Sequence, residues 1–160
     1  MTNITLLCVG KVKESYFTEA IAEYEKRLRK FAKVEIIEVA DERIPDTPSE
    51  ADLLKVLDVE GKRLLAKIPR DAFVLTLEIE GKEMTSPDLA DLIAKVGTYE
   101  TSKLVFIIGG SLGLAKEVKQ VANTALSFSK MTFPHQLMRV VLLEQIYRAF
   151  TILNHIAYHK

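Results

Sequence analysis

The feature that most limits what this chain can fold into is an alternation of short, continuous apolar runs with stretches of helical spacing. Ile4 to Val9, Val34 to Val39, Phe73 to Leu77, Leu104 to Ile108 and a weaker Ala125 to Phe128 are β-branched or aliphatic runs. Between them Phe17, Ile21, Tyr24 and Leu28 recur every three or four residues, as do Leu53, Leu57, Leu64 and Ile68, and then Leu89, Leu92, Ile93 and Val96. Strands that are apolar throughout, without alternating, are covered on both faces. The order β-α-β-α-β-α-β-α-β-α therefore predicts an α/β fold, a mainly parallel sheet with helices on both faces.

The chain has 160 residues, 48% of them hydrophobic, which is enough for a core without disulfides or metals. No internal repeat or long linker interrupts it, so residues 1–160 are expected to form a single domain. Cys8, the lone cysteine, lies within an apolar run and is expected to act as a small buried hydrophobe. No leader-like start and no run of about 18 apolar residues is present, so the expected location is cytoplasmic, with no membrane partner. Ser15, Ser49 and Ser86, the last followed by Pro87, are expected to cap the first three helices. The segment Asp41 to Ser49, with its two prolines, is expected to be a solvated surface connection.

Formal net charge is zero, yet Glu35 to Glu60 holds nine acidic residues against Arg43 and Lys55, leaving +7 on the remainder. That is compatible with a phosphate-rich partner and far from the footprint of binding by charge alone.

A final helix from His135 to Leu153 has an unusually wide apolar arc. Glu144, Gln145 and Arg148 share one narrow polar side, and apolar residues cover most of the rest. The surplus predicts a second subunit, hence a homodimer. Arg139 falls within the apolar arc, where it must either snorkel to solvent or meet an anion or partner at the dimer seam.

Two segments suggest chemistry. Strand Leu104 to Ile108 runs into Gly109-Gly110-Ser111-Leu112-Gly113, and glycines directly after a parallel strand let backbone approach a ligand at the carboxyl edge of the sheet. No Gly-Lys-Ser/Thr follows, and Ile108 occupies the place of the first glycine of a dinucleotide fingerprint, so neither a P-loop nor a Rossmann motif is present. The loop from Leu126 to Gln136 mixes apolar side chains with Ser127, Ser129 and Thr132, a composition suited to a pocket for a flat ring. His135 near the helix start is expected to be a structural hydrogen-bonder more than a base. The tail His155 to Lys160 is polar and follows the helix suspected of lying at an interface, so it could enter a partner's site.

The segments LSFSKMTFPHQLMRVVLLEQIYRAFTI and AYHK, together with ITLLCVGKVKE, EGKRLLAKI, VLTLEIEGK and FIIGGSLGL, resemble the ribosomal RNA large-subunit methyltransferase H family, RlmH, across essentially the whole chain. The resemblance implies a SPOUT fold, with a C-terminal trefoil knot that binds S-adenosyl-L-methionine, in an obligate homodimer. It implies methylation of N3 of pseudouridine 1915 in helix 69 of 23S rRNA, on assembled ribosomes, and no metal. Matched by motif, Leu77, Gly109, Phe128, Ser129, Lys130, Met131, Thr132 and Phe133 would form the cofactor pocket. Arg148, Tyr158 and His159 would be the catalytic or substrate-positioning set.

On that basis His159 or Tyr158 is expected to assist loss of the N3 proton while Arg148 stabilises charge on the base carbonyls. Naked 23S rRNA is expected to be a poor substrate. A chain truncated before Ala157 should fold, dimerise and bind cofactor while losing methyl transfer. Read from the residues alone, a non-enzymatic nucleotide-binding or ribosome-docking module and a tRNA methyltransferase remain rival readings.

Overall fold

A computed structural model describes all residues, 1–160. The elements follow the expected alternation: β1 (Thr2–Val9), α1 (Ser15–Leu28), β2 (Ala32–Val39), α2 (Glu50–Leu65), β3 (Phe73–Glu83), α3 (Ser86–Tyr99), β4 (Lys103–Ile108), α4 (Lys116–Val121), β5 (Thr124–Ser127) and α5 (His135–Leu153). The strands form one sheet in the order β2-β1-β4-β3-β5, every pair parallel. One row across it runs Ile36, Leu6, Phe106, Leu75, Thr124.

Successive side chains of a strand point to opposite faces, and here both faces are apolar. Ile4, Leu6, Cys8, Leu104, Phe106, Phe73 and Leu75 enter a core shared with α1, α3 and α5. Leu7, Val9, Val105, Ile107 and Val74 enter a smaller core with α2 and α4. Each such side chain, fully buried, contributes roughly 1.5–3 kcal/mol of transfer free energy. Cys8 is buried in the first core, and burial lifts its thiol to a pKa of about 12, so it behaves as a hydrophobe.

The starts of the helices correct two expectations. Ser49 does cap α2, in a reciprocal pair with Asp52. The third helix, however, is capped by Thr85 and not Ser86, because Asp88 stands three residues after Thr85 and returns a hydrogen bond to its backbone. The first helix has Glu14 at its N-cap with no side-chain bond, and Ser15 is already inside it. On α2 the innermost stripe is Val56, Glu60, Gly61 and Leu64, rotated from the leucine stripe that spacing suggested. The cause is close packing on α4: a Cβ on Gly61 would lie 2.9 Å from the Cβ of Ala115.

Part of the apolar breadth of α5 is met within the chain, while Val140, Val141, Ile152 and Leu153 stay half-buried. The helix packs between α1 and α3 and buries Leu142, Leu143, Ile146, Ala149 and Phe150 against them and the sheet. Arg139 does not snorkel, and the anion it meets belongs to its own chain. It is 1% exposed, with Nη1 donating to the Glu38 carboxylate and Nη2 donating to the Gly10 carbonyl at 2.7 Å. Glu38 and Gly10 stand at the carboxyl ends of β2 and β1, so Arg139 ties α5 to that edge of the sheet.

Candidate active site

All the strands end on the same edge, and β1 and β4 are the neighbours from which the chain winds outward in opposite directions. Such a switch point leaves a crevice beyond the carboxyl ends of the strands. On the same edge, beyond the ends of β4, β3 and β5, lies a cleft of about 530 Å³, a size typical of small-molecule sites. Its walls come from three segments.

The first is β3, whose pairing with β5 shifts register between Leu77 and Lys82. The bulge places Leu77, Glu78, Ile79 and Glu80 on the cleft. The second is the glycine loop. Gly113 N–H donates to the Gly110 carbonyl at 3.0 Å, closing a turn so tight that a Cβ on Gly109 would stand 2.4 Å from the Gly113 carbonyl oxygen. The third is the loop after β5. Ser127 Oγ donates to the Ile79 carbonyl at 2.8 Å, and Met131 N–H donates to Ser129 Oγ at 2.9 Å, so hydroxyls clip this loop to the β3 bulge and to itself.

Of the residues matched by motif, Leu77, Gly109, Phe128, Ser129, Met131, Thr132 and Phe133 line the cleft. Lys130 is exposed and does not. Glu78, Ile79, Glu80, Lys119 and Met138 line it as well and were not singled out as site residues from the sequence. Glu78 and Glu80 lie just past the apolar run that marked the strand, so the strand's true length, to Glu83, was the missing signal. His135 is on the wall, but its Nδ1 is buried with no partner, which overturns its expected role as a structural hydrogen-bonder. Burial, and next the Arg139 charge, press its pKa below the usual histidine value.

The remaining predicted residues form a second group, at the other end of α5. Arg148 donates to the Glu144 carboxylate from Nη2 at 3.0 Å and from Nε at 3.2 Å, and Tyr158 Oη donates to Glu144 Oε1 at 2.7 Å. Arg148 Nη1 lies 3.2 Å from His159 Nδ1. Its guanidinium also stands 4.7 Å from the Tyr158 ring centre, and that ring packs edge-on against Tyr147 at 4.9 Å. The tail is therefore folded onto its own helix, by side chains drawn from both. Glu144 is the member sequence reasoning left without a role, although its i, i+4 spacing to Arg148 was visible.

These partners decide protonation states. The Glu144 hydrogen bond, reinforced by burial, holds the proton on Tyr158 up to about 12. A guanidinium can only donate, so His159 Nδ1 accepts and the ring proton sits on Nε2. The same Glu144 bond holds Arg148 firmly charged.

A single chain does not join its two groups. Neither Arg148, Tyr158 nor His159 lines the cleft, and roughly 20 Å of helix separates His135 from Arg148 at about 1.5 Å per residue.

A doubly wound parallel sheet with a glycine-turn cleft at the carboxyl edge of its strands is the layout of α/β domains that bind small ligands. Its family is narrower than that. A family model described as "Predicted SPOUT methyltransferase" matches residues 2–159, and the chain belongs to this SPOUT methyltransferase family. It is 57% identical, over 99% of both chains, to a Bacillus pumilus protein named ribosomal RNA large subunit methyltransferase H. A Methanococcus maripaludis protein bearing the same name provisionally is 54% identical, again over 99% of both. The solved structure of "a probable methylase family protein" from Haemophilus influenzae Rd KW20 shares the fold, with a TM-score of 0.56 at 14% identity over 99% of this chain and 71% of that one.

Proposed function

We propose that this protein transfers a methyl group from S-adenosyl-L-methionine to N3 of pseudouridine 1915, in helix 69 of 23S rRNA of assembled ribosomes. The observation that carries the reading is the split between a formed cleft and a polar cluster on one chain that belongs to a methyltransferase family. Two relatives that span the whole chain are named for methylation of large-subunit ribosomal RNA.

The cleft suits the cofactor in size and in chemistry. Leu77, Ile108, Leu114, Leu126, Phe128 and Met138 offer an apolar wall for a purine, and the glycine loop admits close backbone approach. Glu78 is paired with Lys119 at 3.7 Å, which leaves the Glu80 carboxylate as the lining charge that favours a cationic ligand. When bound there, S-adenosyl-L-methionine supplies a methyl carbon on a positively charged sulfur.

The chain's own residues must bring the nucleotide in line and handle one proton. With the cofactor held by the cleft, N3 would take the methyl group as the carbon–sulfur bond gave its electrons to sulfur, so these residues must hold N3 in line and accept its proton. Tyr158, protonated up to about 12, is not the base in this arrangement. His159 Nδ1 is occupied by Arg148. When Arg148 turns a donor to a base carbonyl, it stabilises developing charge and frees Nδ1 to accept the proton. Glu144 orients Arg148 and Tyr158 together.

Because a chain's own cluster stands apart from its own cleft, the working site pairs the cleft of one protomer with Arg148, Tyr158 and His159 of the other. The homodimer and the trefoil knot are parts of this proposal. Isolated 23S rRNA, lacking the ribosome's shaped surface, is a poor substrate for so small and weakly charged a chain.

Mass spectrometry of ribosomal RNA from a deletion strain, with and without the restored gene, tests the reading. The methyl group at pseudouridine 1915 should vanish and return. Unchanged large-subunit RNA with a lesion in tRNA would overturn it. Calorimetric titration should show S-adenosyl-L-methionine and its demethylated product binding, with ATP and NAD inert; the reverse would favour a nucleotide-binding module.

A further inference from the structure

A second cleft, of about 650 Å³, lies beyond the ends of β1 and β2. It is bounded by Gly10, Lys11 and Lys13 after β1, by Glu38 to Ile44 at and beyond the end of β2, and by Glu60 of α2. Gly110, Ser111 and His135 line both clefts, so the two open on either side of one ridge.

Its chemistry differs from that of the first. Half of the residues lining the first cleft are hydrophobic, 10 of 20, but only 4 of 16 here, and His135 supplies the one ring. Such a surface does not stack a base; it suits a sugar and a phosphate. Its acidic residues are largely spoken for. Glu38 pairs with Arg139 and Glu42 with Arg63 at 3.0 Å, leaving Lys11, Lys13 and Arg43 without ion pairs against Asp41 and Glu60. Nor do three acidic or imidazole groups converge there as a metal ion would require.

Glu60 is the observation that points to a ligand. The residue is 5% exposed, and Oε2 accepts the Glu42 N–H at 2.9 Å, pinning the start of the Asp41 to Ser49 loop. That segment is thus more than the solvated connection its composition suggested. Oε1, by contrast, accepts no hydrogen bond from the protein, and it lies 3.5 Å from where a Cβ on Gly110 would stand, at the ridge. Glu60 Oε1, carried by a residue that is otherwise buried and having no donor from the protein, is open to the groove and free to accept one from a ligand.

We infer that the second cleft binds one ribose-phosphate unit of the RNA substrate next to the methylated nucleotide, Glu60 Oε1 accepting a ribose 2′-hydroxyl proton and Lys11 and Lys13 meeting the phosphate. The inference rests on RNA being the substrate. A 2′-hydroxyl contact also distinguishes RNA from DNA.

The test is titration of the full-length, ¹⁵N-labelled protein with uridine 5′-monophosphate and with its 2′-deoxy counterpart, followed through backbone amides. The ribonucleotide should shift Gly10, Lys13, Glu42 and Gly110, and bind at least several-fold more tightly than the deoxynucleotide. Glu60→Gln retains an acceptor for the Glu42 amide and should erase that ribo-to-deoxy preference. Lys11→Ala with Lys13→Ala should weaken both ligands. On ribosomes, Glu60→Gln should raise KM several-fold with kcat unchanged.

No shifts at those amides, or an undiminished ribo preference in Glu60→Gln, would overturn the subsite. Nucleotide binding with an unaltered KM on ribosomes would also overturn it, assigning the cleft to a free nucleotide. S-adenosyl-L-methionine added to the same samples should shift Gly109 and Phe128 to Phe133. If that response is absent in the wild type, the methyltransferase reading fails; if it is absent only in a variant, the variant is misfolded and the lysine pair replaces it as the test.

Discussion

Arg139 and Arg148 stand on one helix and do opposite kinds of work. Arg139 is 1% exposed and bonded to a main-chain carbonyl and to Glu38, so its position is part of the fold. The Arg148 side chain is 24% exposed and bonded only to side chains, Glu144 and His159, all near the surface. Backbone partners cannot be exchanged without unfolding, whereas side-chain partners can be traded for a ligand's atoms. The near end of α5 is thus locked to the sheet and the far end is held ready.

Substitutions at the two ends should separate stability from activity. The largest effect expected is on methyl transfer by Arg148→Ala, a loss in kcat of about 10²-fold or more, as for removal of other transition-state donors. Its unfolding midpoint in urea should hardly move. A large fall in stability instead would make Arg148 a second structural arginine and break the comparison. Arg139→Ala should show the converse. Removing a buried, paired guanidinium costs roughly 3 kcal/mol, read from the shift in urea midpoint at constant slope. If that protein is as stable as wild type, the tie between α5 and the strand ends carries no weight.

A finer test sits within the far end. Tyr158 keeps its proton up to about 12, so it does not titrate near neutrality. Tyr158→Phe should therefore lower the rate through lost positioning while leaving the shape of the pH–rate profile between about pH 6 and 9 unchanged. Loss of a basic limb from that profile would identify Tyr158 as the base and displace His159. The smallest effect concerns helix starts distant from both arginines. Ser49→Ala should cost about 1 kcal/mol through its lost cap, while Ser15→Ala, at a helix whose opening makes no side-chain bond, should be close to neutral in thermal unfolding.

Much of the architecture was legible before any coordinates. Continuous apolar runs implied strands covered on both sides, and the sheet has a core on each face. The capping spacing Ser49-x-x-Asp52 marked α2, and Thr85-x-x-Asp88 would have marked α3 had the returning carboxylate been weighed above the serine beside proline. These are local signals, carried by neighbours within one turn or one strand. The glycine loop and the loop after β5 were legible for the same reason, since each closes on itself within a few residues.

Long-range partners were not. Nothing near Arg139 in the chain announces Glu38 or Gly10, which lie about a hundred residues or more earlier. Without them its burial looked like a liability that only solvent or a second subunit could relieve. The α5 apolar arc is a like case, because periodicity counts apolar faces but does not say that α1 and α3 both lie against part of them. Glu60 is the clearest instance. In sequence it is one acid in an acidic stretch, and only packing shows it nearly buried with one oxygen satisfied and one free. Sequence by itself determined which segments are strands and helices and which loops turn tightly at the edge of the cleft, because those properties depend on residue type and short spacing. Tertiary structure alone decided which charges are locked and which remain available, because that depends on where distant backbone ends, and they meet only once the sheet is assembled.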